Sequence, residues 1–151
     1  MRIGLVSDTH GLLRPEALRF LEGSDAIVHA GDIGKPQVLE ALRAIAPLHA
    51  IRGNNDGWAG DLPDALEVEI GGVRMYVIHD FKTIGRWPVP PATQVVVCGH
   101  SHQPVVARYA EGFLLVNPGS AGPRRFKLPV TAAELLLDAR GGFDARIAGL
   151  L

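Results

Sequence analysis

The chain has 151 residues, 47% of them apolar and 21% charged, and a globular fold of that size buries roughly 68–70% of the surface its unfolded chain exposes. This composition excludes disorder, and no apolar run approaches the 18 or so residues of a membrane span. Fifteen Lys and Arg against sixteen Asp and Glu leave a net charge of −1, so no overall field draws the chain to nucleic acid or an acidic membrane. The lone cysteine, Cys98, has no internal disulfide partner, and the run Met1 to Val6 is too brief for a secretory signal. The expectation is one cytoplasmic domain over residues 1–151.

In chain order, Ile3 to Ser7 reads as a strand, followed by a helix on the spacing Leu13, Ala17, Leu21, with Pro15 in its first turn and Gly23 at its end. Asp25 to Val28 is a second strand. Val38, Ala41, Leu42 and Ile45 then fall at helical spacing between Pro36 and Pro47, and Leu48 to Ile51 gives a third strand. This alternation predicts parallel strands joined by crossover helices. In the second half, Leu66 to Ile70 and Val73 to Ile78 flank Gly71-Gly72, as in a two-residue hairpin. Antiparallel pairing is expected to start there, and further strands and hairpins are predicted at Gln94 to Cys98, Val105 to Tyr109, Phe113 to Val116, Ala133 to Leu137 and Phe143 to Ile147. Pro88, Pro90 and Pro91 exclude a long helix between Phe81 and Thr93.

The chemistry sits where the apolar runs stop: Ser7-Asp8-Thr9-His10, His29-Ala30-Gly31-Asp32, Gly53-Asn54-Asn55-Asp56, His79-Asp80 and Gly99-His100-Ser101-His102. In open α/β sheets, ligands bind outside the carboxyl ends of the strands, so these five ends are expected to converge. Carboxylate, amide and imidazole donors without thiolates suit a divalent ion such as Mn²⁺, Fe or Zn²⁺. His49 lies within a strand pattern and reads as structural; His29 reads as an orienting or core histidine. Neither is expected to be a ligand.

The order Asp8-x-His10, Gly31-Asp32, Gly53-Asn54, His79, Gly99-His100-x-His102 resembles the calcineurin-like metallophosphoesterase superfamily. Asn117-Pro118-Gly119-Ser120 resembles its small prokaryotic phosphodiesterase branch. The resemblance implies an α/β fold, a four-layer α/β/β/α sandwich with two central mixed sheets, and two divalent ions, manganese first with nickel, iron or zinc as alternatives. It assigns Asp8, His10, Asp32 and His102 to one ion and Asp32, Asn54, His79 and His100 to the other, with Asp32 bridging. Asp32, Asn54 and His100 are also taken as catalytic, and Asn55, Asn117, Ser120 and Arg124 as substrate-binding.

The implied activity is a phosphodiesterase attacking small diesters with a metal-bridging hydroxide, without a covalent enzyme intermediate, and failing in acid as its histidines protonate. Phosphomonoester hydrolysis on nucleotides or phosphoproteins is the near alternative. A non-catalytic scaffold is another, since one protein-sorting subunit of this fold binds partners after losing part of its metal set. Two departures stand out. Asn55 follows Asn54 where many members carry a proton-donating histidine, leaving Asp56 as the nearest titratable group, equally legible as a turn residue. Asp80 follows His79 where glycine is frequent. Arg124, Arg125 and Lys127 are candidates for a phosphate contact or form a plain solvated cluster, and Trp58 and Trp87 for a stacking face or loop cover. The expected partner is a small phosphodiester rather than a long nucleic acid or a membrane, and a homo-oligomer stays open.

Overall fold

A computed structural model describes residues 1–151. The predicted elements all form, with ends within two residues of those expected: β1 (Arg2–Val6), α1 (Pro15–Leu21), β2 (Ala26–His29), α2 (Pro36–Arg43), β3 (Leu48–Ala50), β4 (Ala65–Ile70), β5 (Val73–Ile78), β6 (Val95–Val97), β7 (Val105–Arg108), β8 (Leu114–Asn117), β9 (Thr131–Leu137) and β10 (Phe143–Gly149). Both helices begin on the proline that the sequence places in the first turn. Gly71 and Gly72 turn the β4–β5 hairpin with φ of 57° and 83°, values that a side chain disfavours and a type I′ turn demands.

The strands form two five-stranded sheets in the orders β10-β9-β1-β2-β3 and β4-β5-β6-β8-β7. In the first, β1, β2 and β3 run parallel, and β9 returns from the far end of the chain to pair antiparallel with β1, Gly4 opposite Glu134. In the second, pairing is mixed, as the resemblance implies, with antiparallel pairing beginning at the β4–β5 hairpin. The hairpin strand β4 and the strand β7 are antiparallel to their neighbours, but β5, β6 and β8 form a parallel centre. The reason is connection: the segment after β5 is long enough to return the chain to the same end of the sheet, and after β6 the chain runs back as the edge strand β7 before a hairpin sets β8 parallel beside β6.

Side-chain alternation builds the layers. Ile3 and Leu5, Val73, Met75 and Val77, Val95 and Val97, Leu114 and Val116, and Ala133 and Leu135 face inward between the sheets and form the largest core cluster. Val6, Ile27 and Ala132 face the other way, onto Ala17 and Leu21 of α1 and Val38 and Leu42 of α2. On the outer face of the second sheet, Tyr76, Ile78, Val96, Cys98, Phe113 and Leu115 are covered by Phe81, Trp87, Val89 and Tyr109. The fourth layer of the sandwich is thus a 3-10 turn (Phe81–Thr83) and the proline-rich loop, which cannot propagate a helix. This topology sets the carboxyl ends of β1, β2, β3, β5 and β6 at one edge of the sandwich.

Leu5 is fully buried between the sheets. Leu5→Ala is expected to lower the unfolding free energy by about 2–5 kcal/mol, read from urea melts, with the spectrum of the folded state unchanged.

Candidate metal centre

The five strand ends meet. Asp8, His10 and His102 form one group of donor atoms, and Asp32, His79 and His100 a second, with the atoms of each group within 4.8 Å of one another. Asp8 Oδ1 lies 3.4 Å from His102 Nε2, 3.7 Å from His10 Nε2 and 3.9 Å from His79 Nε2. Asp32 Oδ2 lies 3.3 Å from His79 Nε2 and 3.7 Å from His10 Nε2, so it stands between the two groups. Asn54, the seventh residue of the expected set, is exposed on the loop after β3 and lines the cavity shared with His79 and His100.

Backbone strain marks the same residues. Asp8, His10, Asp32, His100 and His102 all have left-handed φ, between 46° and 73°, at a cost of about 1–3 kcal/mol each that the surroundings must offset. Hydrogen bonds between the loops do so. The amides of Asp8 and His10 donate to the carbonyls of Gly31 and Asp32, and the amide of Gly99 donates to the carbonyl of His79. Gly99 is required by close approach, because a Cβ there would overlap Ser7 Oγ and Asp8 Oδ2.

Several polar residues act beneath the donors. Asp56 is fully buried and its carboxylate accepts from the amides of Ile33, Gly34 and Gly53, tying the β2 and β3 loops together. Of its two sequence readings, the turn residue holds, and its proton-donor role is corrected: three backbone donors occupy its oxygens. His29 Nδ1 accepts from the Gly31 amide, which leaves Nε2–H to donate to Thr9 Oγ1, and Thr9 Oγ1 donates to the Ile33 carbonyl. It is a buried orienting histidine, as one of its two readings expected.

The residues expected to bind substrate make the following contacts within the chain. Asn55 directs its amide to Asp32 Oδ1 at 3.0 Å and its Nδ2 to Asp32 Oδ2 at 3.1 Å, so it positions that carboxylate. Buried Asn117 donates from Nδ2 to the Gly99 carbonyl and Ser101 Oγ, and accepts from the Gly119 amide, clamping the His100–His102 loop. Buried Ser120 donates to the Asp8 carbonyl. Arg124 is exposed and donates to the Leu128 carbonyl, without contact to the donor cluster. Sequence spacing reads Asx and Ser near a turn as turn formers; which loop they hold depends on tertiary neighbours.

Electrostatics favours a cation. Burial alone would raise the Asp8 pKa, yet His10, His102, His79 and the Ser7 hydroxyl together hold it well below the usual carboxylate range. Asp32 is likewise lowered against its own burial, through His79 and the Asn55 amide. Burial would depress His79, but Asp32 and Asp8 raise it. His79 Nδ1 lies 2.7 Å from the Ala30 carbonyl and donates to it, which turns the Nε2 lone pair into the cluster. Asp8 Oδ1 and His79 Nε2 are both buried without a hydrogen-bond partner, 3.9 Å apart. A divalent ion fits this donor set: orphaned lone pairs on oxygen and imidazole nitrogen are what it ligates. Cys98 is no competitor, since burial, then the Asp8 and Asp80 charges, push its thiol up to about 12.

Two outcomes follow. Asp56→Ala strands three amides and should cost roughly 3–5 kcal/mol in chemical melts, with divalent-ion affinity weakened in titration calorimetry. Burial depresses His29 to about 4 from 6.5, only partly opposed by Asp8 and Asp56. Below pH 6.5 the unfolded chain takes up a proton that the folded chain refuses, so stability present above that pH is lost toward pH 4. At about 1.4 kcal/mol per pKa unit the loss is roughly 3 kcal/mol. In melts of the chelator-treated protein at pH 7.5 and 4, His29→Gln should flatten the dependence by that amount.

A family model described as the calcineurin-like phosphoesterase superfamily domain matches residues 1–140. A probable metallophosphoesterase of Methanothermobacter thermautotrophicus is 34% identical over 133 residues, covering 80% of this chain and 77% of the relative. Among solved structures, an archaeal phosphodiesterase superposes with a TM-score of 0.76 at 25% identity, over 98% of this chain and 100% of that one. Vps29 of Entamoeba histolytica, solved in complex with Zn²⁺, superposes with a TM-score of 0.74 at 18% identity over 100% of both chains, which shows the shared fold. The motif residues, the two mixed sheets and these matches agree: the chain belongs to the calcineurin-like phosphoesterase superfamily.

Proposed function

We propose that the protein is a metal-dependent phosphodiesterase acting on small diesters, with Asp8, His10, Asp32 and His102 holding one divalent ion and Asp32, Asn54, His79 and His100 a second. The observation that carries this reading is the facing pair of buried, unpartnered atoms, Asp8 Oδ1 and His79 Nε2. Leaving such groups unmade in a native interior is costly, and a pair of cations, one ligated by Asp8 and the other by His79, removes the cost. The choice of diester rests on the likeness to the archaeal phosphodiesterase at 25% identity, and manganese on the oxygen and imidazole donor set.

When bound, two ions supply an activated water and charge stabilisation at phosphorus near neutral pH. The chain's own residues do the rest. Asp32, whose Oδ2 lies 3.3 Å from His79 Nε2 of one group and 3.7 Å from His10 Nε2 of the other, is the carboxylate suited to bridging, since an imidazole offers a single nitrogen. Asn55 fixes both Asp32 oxygens, and the Ala30 carbonyl fixes the His79 ring, so the donors are arranged before substrate arrives. With Asp56 engaged by three amides, no side chain beside Asn54 is free to protonate the departing oxygen. Substrates with good leaving groups are therefore favoured.

The test is a chelated, reloaded enzyme assayed with Mn²⁺, Ni²⁺, Fe²⁺, Zn²⁺ and Mg²⁺ on bis(p-nitrophenyl) phosphate and p-nitrophenyl phosphate. The diester should turn over faster, best with Mn²⁺. A preference for the monoester would replace the diesterase reading, and no turnover with any metal would leave a scaffold. Asp32→Asn should lower occupancy of both ions together in metal analysis; loss of one alone refutes the bridge. Asn55→Ala should reduce metal affinity or activity about 10–100-fold.

A further inference from the structure

Beside the donor cluster, on the His79 and His100 side, lies an open cavity of about 260 Å³. Its floor is His79 and His100. One wall is the β3 loop, with Arg52 and Asn54, and the other is the segment after β5, with Thr83, Arg86 and Trp87. The cavity lies just below the 300–1,000 Å³ of ordinary small-molecule pockets, so it suits one small fragment of a substrate.

The second wall is stiff. Thr83 anchors to the Asp80 carbonyl through both its amide and its hydroxyl, and the amides of Arg86 and Trp87 both donate to the Thr83 carbonyl. Tyr76 Oη, from the sheet beneath, donates to the Trp87 carbonyl at 2.9 Å. Arg86 therefore projects from a fixed turn, and its guanidinium lies over the Trp87 ring, 5.4 Å from the centroid. The charges around it are accounted for. Asp64 takes the Nη2 of Arg52 on both oxygens, and Asp80 accepts the Lys82 amide and lies 3.7 Å from His100. Arg86 alone among the cavity's charged side chains has neither an ion-pair nor a hydrogen-bond partner.

We propose that this cavity receives one arm of the diester and that Arg86, steadied on Trp87, reads a second phosphate carried by that arm. The inference rests on the phosphodiesterase reading and sharpens it: the substrate class becomes diesters with an additional terminal phosphate. A planar guanidinium matches phosphate oxygens in pairs, and stacking on an indole limits the orientations it must give up on binding. Neither Asp64 nor Asp80 displaces it, because each is engaged elsewhere.

Three thymidine dinucleotides with the same internal diester test this: one without a terminal phosphate, one phosphorylated at the 5′ end and one at the 3′ end. For the manganese-loaded enzyme, one of the phosphorylated forms should show kcat/KM roughly tenfold above the plain dinucleotide, the scale of one charge-assisted contact. Arg86→Gln should bring that ratio close to one, whereas Arg146→Gln, which removes a charge from exposed β10, should keep it. As an independent readout, titrating the preferred dinucleotide into chelated Trp58→Phe protein should shift the emission of Trp87, and Arg86→Gln should abolish the shift. With bis(p-nitrophenyl) phosphate hydrolysed, equal or absent turnover of all three dinucleotides, or a ratio that survives Arg86→Gln, overturns the proposal alone. Failure on bis(p-nitrophenyl) phosphate itself overturns the diesterase reading beneath it.

Discussion

The structure depends on a carboxylate it cannot satisfy by itself. Asp8 has no exposed surface, and its Oδ2 is taken by the Ser7 hydroxyl at 2.7 Å and the His100 amide at 3.0 Å. Its carbonyl accepts from Ser120, so the residue ties β1 to the loop after β6 and to the segment leading into β9. Oδ1 is left facing three imidazoles with no donor of its own. Protonated histidines would answer that charge only by crowding cations: the Nε2 atoms of His10 and His102 are already 3.3 Å apart. In the proposed reading, a divalent ion resolves both conflicts, because it neutralises the carboxylate and takes the neutral lone pair of each ring. Metal binding and folding stability are then one free energy.

That arrangement explains why so much polar structure lies just below the donors. Five left-handed, non-glycine residues cannot hold their conformation through local preference, although Asp and His tolerate it better than most. They are held because Asp56, Asn117 and Ser120 bind the loop backbones from beneath, each through two or three hydrogen bonds, and His29 binds the Gly31 amide and the Thr9 hydroxyl. The sheets bring the strand ends to one edge; this second tier fixes them to within hydrogen-bond lengths. A site that must place donors from five loops has little use for loops that move.

The legible part of this molecule and the hidden part follow the same division. Alternation and spacing decide which face of β1 or β5 is buried, so Ile3, Leu5, Val73 and Val77 announce their core positions through the sequence alone. Donor residues at strand ends are legible too, because topology places such ends together whatever the loops do. The partners of Asn55, Asn117 and Ser120 are not. Each sits in a turn-like stretch, and a turn-forming side chain can hold its own loop, a neighbouring one or a substrate; the choice is made by chain segments as many as 112 residues away, as between Ser120 and Asp8. The same holds for β9. Its apolar pattern marks a strand, but its place beside β1 is set by which edge of the first sheet is left open.

The fourth layer shows where this fold has latitude. On the first sheet, α1 and α2 connect consecutive parallel strands and cannot be exchanged without undoing the crossovers. On the second, the cover is a segment between β5 and β6 that only has to be long enough to return the chain. Here it is a 3-10 turn and a run of prolines, held flat by Phe81, Trp87 and Val89 on the sheet. Because this segment starts directly after His79, whatever it carries stands beside the donor cluster: Asp80, Thr83, Arg86 and Trp87 line its cavity. The larger cavity of about 380 Å³ under Pro88 to Pro91 is lined chiefly by apolar groups and holds none of the donors, so its size is no guide to the chemistry. The fold is shared with the superposed proteins, while one wall of the cavity beside this chain's donor cluster is carried by the single segment between β5 and β6. Differences in what such proteins bind are to be sought there, and the fold they share does not decide them.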